Sequence, residues 1–168
     1  MESPSYYLEQ LYPLQDNFLK FFGEHNHRRF YLTGGTALSR FYYQHRYSDD
    51  LDFFSISEFK DFREILTKIL DAARQKKFFI EVETISDHFF RIYAKEKEAS
   101  LKIDFVNETA FHWGPLNRFP LFDSVDNELN VLANKMTCIS RYEVYADLQI
   151  IAEDILLGRS NTLKLGVD

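Results

Sequence analysis

Apolar positions recur along this chain with two periods, and the switch between them marks its elements. Residues 13–25 follow the helical period. Leu14, Phe18, Leu19, Phe21 and Phe22 share a face, Pro13 suits a first helical position, and Gly23 with His25-Asn26-His27-Arg28 ends the run. Residues 30–33 read as a short strand, Gly34-Gly35 as a turn, and 36–44 as a helix with Leu38, Phe41 and Tyr42 on one side. Residues 45–49 are polar and 51–54 form a second strand. Ser55 and Glu58 stand at capping-box spacing, so a helix is expected from there to about Gln75. Its apolar face carries Phe59, Phe62, Ile65, Leu66, Ile69 and Leu70, and its polar face Lys60, Asp61, Glu64 and Lys68. The period then changes to two. Residues 79–84, 89–94 and 100–106 alternate, and the short polar linkers Ser86-Asp87 and 95–98 predict an antiparallel meander. Residues 107–120, with Gly114, Pro115 and Pro120, read as a loop, and helices are expected at about 126–140 and 144–158. This order predicts an α+β fold: a mixed sheet of about five strands flanked by helices, with two C-terminal helices. No repeat or composition break divides the chain, so one domain over 1–168 is expected.

Composition narrows the class. At 168 residues and 45% hydrophobic, the chain has the means to bury a core, and disorder is excluded. Its 17 Phe and 10 Tyr predict an aromatic-rich interior. A net charge of −6 supplies no global field for nucleic acid, so an RNA partner needs a local basic patch. The lone Cys138, flanked by Met136 and Ile139, is expected in the core of a protein from a reducing compartment. The start, Met1-Glu2-Ser3-Pro4-Ser5, has no signal-peptide pattern, and no apolar run approaches the roughly 20 residues of a membrane span. A cytoplasmic protein without membrane contact is the expectation.

The candidate chemistry lies in two short stretches and one later strand. Gly34-Gly35-Thr36 between a strand and a helix is either a tight turn or a phosphate cradle of free N–H groups at a helix N-terminus, with Thr36 capping the helix or donating to a phosphate. Asp50 and Asp52 lie two apart at the mouth of an apolar strand, so their side chains share a face. They are either a solvated strand start or a pair held by a hard divalent cation, Mg²⁺ or Mn²⁺. Asp104 sits mid-strand in Leu101-Lys102-Ile103-Asp104-Phe105-Val106, where a carboxylate is exposed on one face, paired, or metal-bound. If its strand lies beside that of Asp50 and Asp52, three carboxylates meet, as two-metal phosphoryl transfer requires. Arg46 either neutralises phosphate or pairs with Asp49 or Asp50. Lys102 faces the same side as Asp104, and Lys135 either reaches phosphate or lies on a solvated helix face. The five histidines show no metal-ligand spacing, and Trp113 and Tyr43 are expected in packing rather than base stacking.

Together these residues resemble the nucleotidyltransferase fold of the DNA polymerase β type. The fuller string, 32–38 followed by His45-Arg46 and Ser48-x-Asp50-Leu51-Asp52-Phe53-Phe54, is similar to the AbiEii/AbiGii toxin family of nucleotidyltransferases. The resemblance covers roughly 30–106 and implies a catalytic core at about 28–106, with C-terminal helices at about 126–158. It implies that Gly34, Gly35 and Thr36 hold the phosphates of a nucleoside triphosphate such as ATP. Arg46 and Lys135 would assist, Asp50 and Asp52 would ligate Mg²⁺ or Mn²⁺, and Asp104 would complete the metal site and activate an acceptor hydroxyl. It further implies transfer of NMP to an RNA (tRNA-like) or protein hydroxyl, and a cognate antitoxin as partner. Lys135, Arg141 and Asp147-Leu148 fit the family's C-terminal pattern, whereas Glu143-Val144 stands where a Lys-Asp pair is usual, leaving Asp147 as the accessory acid. That departure, with a chain short for the family, supports an alternative: a catalytically degenerate module of the same fold that binds nucleotide or partner.

Overall fold

A computed structural model of the chain describes residues 3–26, 29–107, 112–137 and 157. Cys138, Arg141, Val144, Asp147 and the expected helix at 144–158 lie outside the described residues.

The N-terminal helix begins well before residue 13. Pro4 takes a first helical position, and the Ser3 hydroxyl accepts from the Tyr6 N–H at 3.3 Å. The chain runs through α1 (Pro4–Tyr6), a π-helical stretch (Tyr7–Leu11) and α2 (Tyr12–Asn26). Pro13, expected at the start, sits inside. A proline there removes an N–H and crowds the carbonyl four residues back, and the wider π turn just before it relieves that crowding.

Five strands form one sheet: β1 (Phe30–Thr33), β2 (Leu51–Ser55), β3 (Phe79–Ile85), β4 (Phe89–Glu96) and β5 (Ala99–Val106), in the order β1-β2-β5-β4-β3. The meander β3-β4-β5 is antiparallel as expected, with a register shift between Val82 and Thr84, while β2 pairs with β5 in parallel. The predicted α+β fold with a mixed five-stranded sheet is the one observed.

Between β1 and β2 lie α3 (Gly34–Thr36) and a π-helical continuation (Ala37–Tyr43), closed by Gln44 in the left-handed region. After β2 the expected capping box at Ser55 and Glu58 does not form. Ser55 is buried at the strand end, paired with Phe30, and Ile56 N–H still bonds Arg29 C=O at 2.9 Å, so the backbone is held to the sheet and cannot turn into a helix. Helix α4 (Phe62–Gln75) starts later, and Phe59 precedes it. The connecting segment is clasped by Asn107, whose side chain accepts from Phe59 N–H (2.9 Å) and donates to the carbonyls of Phe59 (2.8 Å) and Asp87 (2.9 Å).

Helices α2 and α4 cover one face of the sheet. The Phe22 ring lies against those of Phe30, Phe53, Phe105 and Phe122, and Phe30 meets Phe62, so the predicted aromatic interior is present. The connection after β5 is longer than expected. Val125 docks beside β1, with Leu32 N–H on Ser124 C=O (2.9 Å) and Asp126 N–H on Leu32 C=O (2.8 Å). Helix α5 (Glu128–Thr137) therefore starts after Asp126, with the Asn127 side chain accepting from Asn130 N–H at 3.0 Å as its cap. No helix among the described residues is long and apolar enough to cross a membrane.

Candidate active site

Strand β1 delivers the chain to the Gly34-Gly35 turn. Gly34 has φ +74°, a conformation that side chains disfavour, and a Cβ there would stand 2.5 Å from Asp52 Oδ2. A Cβ on Gly35 would strike the Arg46 guanidinium. The bare backbone of the two glycines is thus flanked by a carboxylate and a cation. Thr33, not Thr36, occupies the N-cap position, and its hydroxyl donates to Asp126 Oδ2 at 2.7 Å. Thr36 is buried. Its hydroxyl bonds Ser48 Oγ at 2.7 Å and the Asp50 carbonyl. The group expected to cap the helix or meet a phosphate is directed inward, tying the turn to the approach of β2.

That approach is held from several sides. Gln15 Nε2 donates to the carbonyls of Ser48 (3.0 Å) and Asp49 (3.3 Å), and Ser48 N–H donates to the Tyr12 hydroxyl (3.3 Å). The rings of Tyr7 and Tyr47 stack at 4.4 Å. Arg40 pairs with Asp16 at 2.7 Å and lies over the Tyr12 ring at 4.1 Å. Arg46 donates to the Tyr47 carbonyl at 3.0 Å. Beside it is a cavity of ≈ 460 Å³ lined by Tyr12, Arg40, His45, Arg46 and Tyr47 among others, and by none of the three acids.

The sheet registers set Thr33 opposite Asp52, Asp52 opposite Asp104, and Asp104 opposite Arg91. One row of polar side chains therefore crosses four strands on the face that α2 and α4 leave uncovered. Asp50 stands just before β2 and meets Lys102 Nζ at 2.5 Å. Asp104 is gripped by the Arg91 fork, Nε to Oδ1 at 2.6 Å and Nη2 to Oδ2 at 2.7 Å. This bidentate geometry is the strong form of the ion pair, and hydrogen bonding to Asp104 raises the Arg91 guanidinium further above its ordinary value. Burial pulls Lys102 down, but the hydrogen bond and charge of Asp50, with Asp104 and Asp52 behind it, outweigh that and raise it.

Asp52 differs from its neighbours. No hydrogen bond from the described residues reaches its carboxylate. Burial first, then the charges of Asp50 and Asp104, push its carboxyl up from 3.8 to about 6, against the pull of Lys102 and Lys135. The influence of Lys135 places α5 within the electrostatic reach of the acids. The expected three acids thus share one face, but no three acidic, imidazole or thiol side chains among the described residues are gathered as a metal ion would gather them. Two of the three carboxylates are turned to protein cations instead. The donor set still suits Mg²⁺ or Mn²⁺ in kind: it is all oxygen, it includes a carboxylate with no hydrogen-bonded partner among the described residues, and it adjoins a backbone turn stripped of side chains.

Arg91 and Asp126 were not among the residues expected at the site. Arg91 carried a usable signal, since a short hairpin between β4 and β5 sets it across from Asp104. Asp126 is buried and braces the turn from behind, holding Thr33 and, at 3.0 Å, His112 Nε2. Burial raises its carboxyl, in opposition to the hydrogen bonds from Thr33, Asn130 and His112. It was hidden because it looked like the first residue of a helix.

Comparison with known proteins places this arrangement. JHP933 from Helicobacter pylori has a similar structure, with a TM-score of 0.66 at 18% identity, covering 91% of this chain and 68% of that one. The nucleotidyltransferase toxin MenT4 from Mycobacterium tuberculosis matches with a TM-score of 0.55 at 19% identity, covering 80% of this chain and 54% of that one. At such identities the likeness is one of fold. No curated protein matches in sequence. The family model described as nucleotidyl transferase AbiEii toxin, type IV toxin–antitoxin system, matches residues 22–150. That span takes in the glycine turn, the Asp50-x-Asp52 strand, Asp104 and α5, and the chain belongs to the AbiEii family of nucleotidyl transferase toxins.

Proposed function

We propose that this protein transfers a nucleoside monophosphate from a nucleoside triphosphate to a hydroxyl of an RNA or protein acceptor, with Mg²⁺ or Mn²⁺, as the toxin of a pair with a cognate antitoxin. The observation that carries this reading is the Gly34-Gly35 turn set directly against Asp52, with Asp104 next to it in the row. In this reading the N–H groups of Gly34 and Gly35 and the Arg46 guanidinium receive the β and γ phosphates. Thr36 acts through position, and Lys135 adds positive charge from α5. Asp50 and Asp52 would hold the divalent ion, with Asp104 as third ligand. When bound, the ion supplies positive charge against the charge developing on the α-phosphate and the departing pyrophosphate. The acceptor oxygen bonds to the α-phosphorus as the bond to the β-phosphate oxygen breaks. The hydroxyl proton passes to a carboxylate, for which Asp104 is the candidate. Catalysis is then largely positional and electrostatic.

Incubation of the protein with each labelled NTP, Mg²⁺ and total RNA or lysate tests this reading. A labelled product that disappears in Asp52→Asn is expected. The absence of both a labelled product and NTP binding would refute it. The second reading, a non-catalytic nucleotide- or partner-binding module, is favoured by the Lys102 and Arg91 pairs that occupy Asp50 and Asp104. Full biological activity in both Asp50→Asn and Asp104→Asn would establish it.

A further inference from the structure

Asp104 already carries a full counter-charge in its present arrangement. Both of its oxygens are engaged by Arg91, at 2.6 and 2.7 Å, and its side chain is 10% exposed. Each oxygen keeps a second lone pair, but a metal ion taking it would stand beside the guanidinium, so ion and fork compete for one carboxylate. Arg91 has a place to go. Its remaining Nη1 already reaches Glu83 Oε2 on β3 at 3.5 Å, a long contact to a carboxylate that is 48% exposed. The row across the sheet thus reads Asp52, Asp104, Arg91, with Glu83 beyond. Among the described residues Lys102 lacks such an outer seat on β3. Its neighbour across the sheet is Tyr93, and Glu81 beyond that is already paired with Lys95. Nor does Arg91 stand where a triphosphate on the glycine turn would meet it, because Asp52 and Asp104 lie between them.

We infer that Arg91 is a positioning residue that occupies the metal's place on Asp104 in the metal-free protein and transfers to Glu83 when a divalent ion binds. The inference rests on the metal site proposed above and adds a competitor to it. While seated, Arg91 cancels one charge in a cluster of three acids and keeps the Asp104 carboxylate fixed in rotamer. Once moved, it is held one strand further out, where its charge no longer opposes the ion at close range. Metal affinity is then set by the difference between the two seats.

Titration of the full-length protein with Mn²⁺, with free ion counted by electron paramagnetic resonance, tests this directly and requires no turnover. Arg91→Gln is expected to bind Mn²⁺ on the order of tenfold more tightly than the unaltered chain, because a charge-assisted fork no longer competes. Glu83→Gln is expected to bind about twofold more weakly, because the outer seat is gone and it was an exposed pair. In an Asp104→Asn background, Arg91→Gln should change nothing. Equal or weaker binding by folded Arg91→Gln, or tighter binding by Glu83→Gln, overturns the inference. Should Arg91→Gln fail to fold, Arg91→Lys keeps the charge and loses the fork; it must bind Mn²⁺ more tightly than the unaltered chain, and unchanged affinity overturns the inference. Absence of Mn²⁺ binding in all of these proteins would instead refute the metal site itself, and the inference with it.

Discussion

Replacement of Asp52 by asparagine should make the metal-free protein more stable while abolishing transfer. The Asp52 carboxyl is pushed from 3.8 to about 6 by burial and by the charges of Asp50 and Asp104. Between those pH values the folded chain holds a proton that the unfolded chain has released. Stability therefore falls as pH rises through that window, and the cost is complete above about pH 6. A gap of a little over two pH units, at about 1.4 kcal/mol each, amounts to about 3 kcal/mol. Asparagine keeps the shape and removes the charge, and no hydrogen bond from the described residues is lost with the carboxylate. In chelator at pH 8, Asp52→Asn should gain about 1–3 kcal/mol over the unaltered chain, with the two nearly equal at pH 4. Urea unfolding followed by far-UV circular dichroism at pH 4, 6 and 8 measures both quantities. A variant less stable than the parent at pH 8, or one with the parent's full pH slope, would show that Asp52 is a structural support and refute the reasoning.

Three further outcomes follow from single residues. Gly34→Ala forces a side chain into φ +74° and against Asp52 Oδ2, so it should lose about 1–2 kcal/mol in thermal unfolding and NTP binding in calorimetric titration. Asn107→Ala removes three hydrogen bonds that clasp the segment before α4 and should cost about 2–4 kcal/mol, with the Phe59 amide losing protection in hydrogen exchange. Phe22→Ala empties the centre of the aromatic cluster around Phe30, Phe53, Phe105 and Phe122 and should cost about 3–5 kcal/mol in urea unfolding, since that many rings cannot collapse into the space.

The elements that were legible in the sequence are those where one period dominates. The meander of three follows from alternation and short polar linkers, the strands at Phe30–Thr33 and Leu51–Ser55 from short apolar runs bounded by a turn or a polar stretch, and the resemblance pointed to the acids at 50, 52 and 104. What was not legible depends on partners distant in sequence. Ser55 has a cap's chemistry, but pairing with Phe30 holds it in the sheet. Pro13 has a start's chemistry, but Ser3 and Pro4 start the helix first and the π turn makes room. Asp126 reads as a helix opening, but Thr33 and His112 use its carboxylate and Asn127 caps in its place. The acids at 50 and 52 could be read as a candidate metal pair from their spacing, and Asp104 as a third only if its strand lay beside theirs. Their present counter-ions, Lys102 and Arg91, follow only from the register of β5 against β2 and β4.

That register is itself a consequence of the core. Leu101, Ile103 and Phe105 are fully buried beneath the helices, with Phe105 stacked on Phe53 at 5.3 Å. Because strand side chains alternate, this places Lys102 and Asp104 on the other face and sets Asp104 beside Asp52, one residue before the stacked pair. A slip of one residue would bury Asp104 under the helices and expose Phe105, which the apolar interior forbids. The mutual repulsion of the acids is thus not accidental to the fold. The aromatic packing that stabilises the sheet is the same constraint that holds Asp52 and Asp104 side by side, and it leaves their charge to be answered by Lys102, Arg91 or a divalent ion.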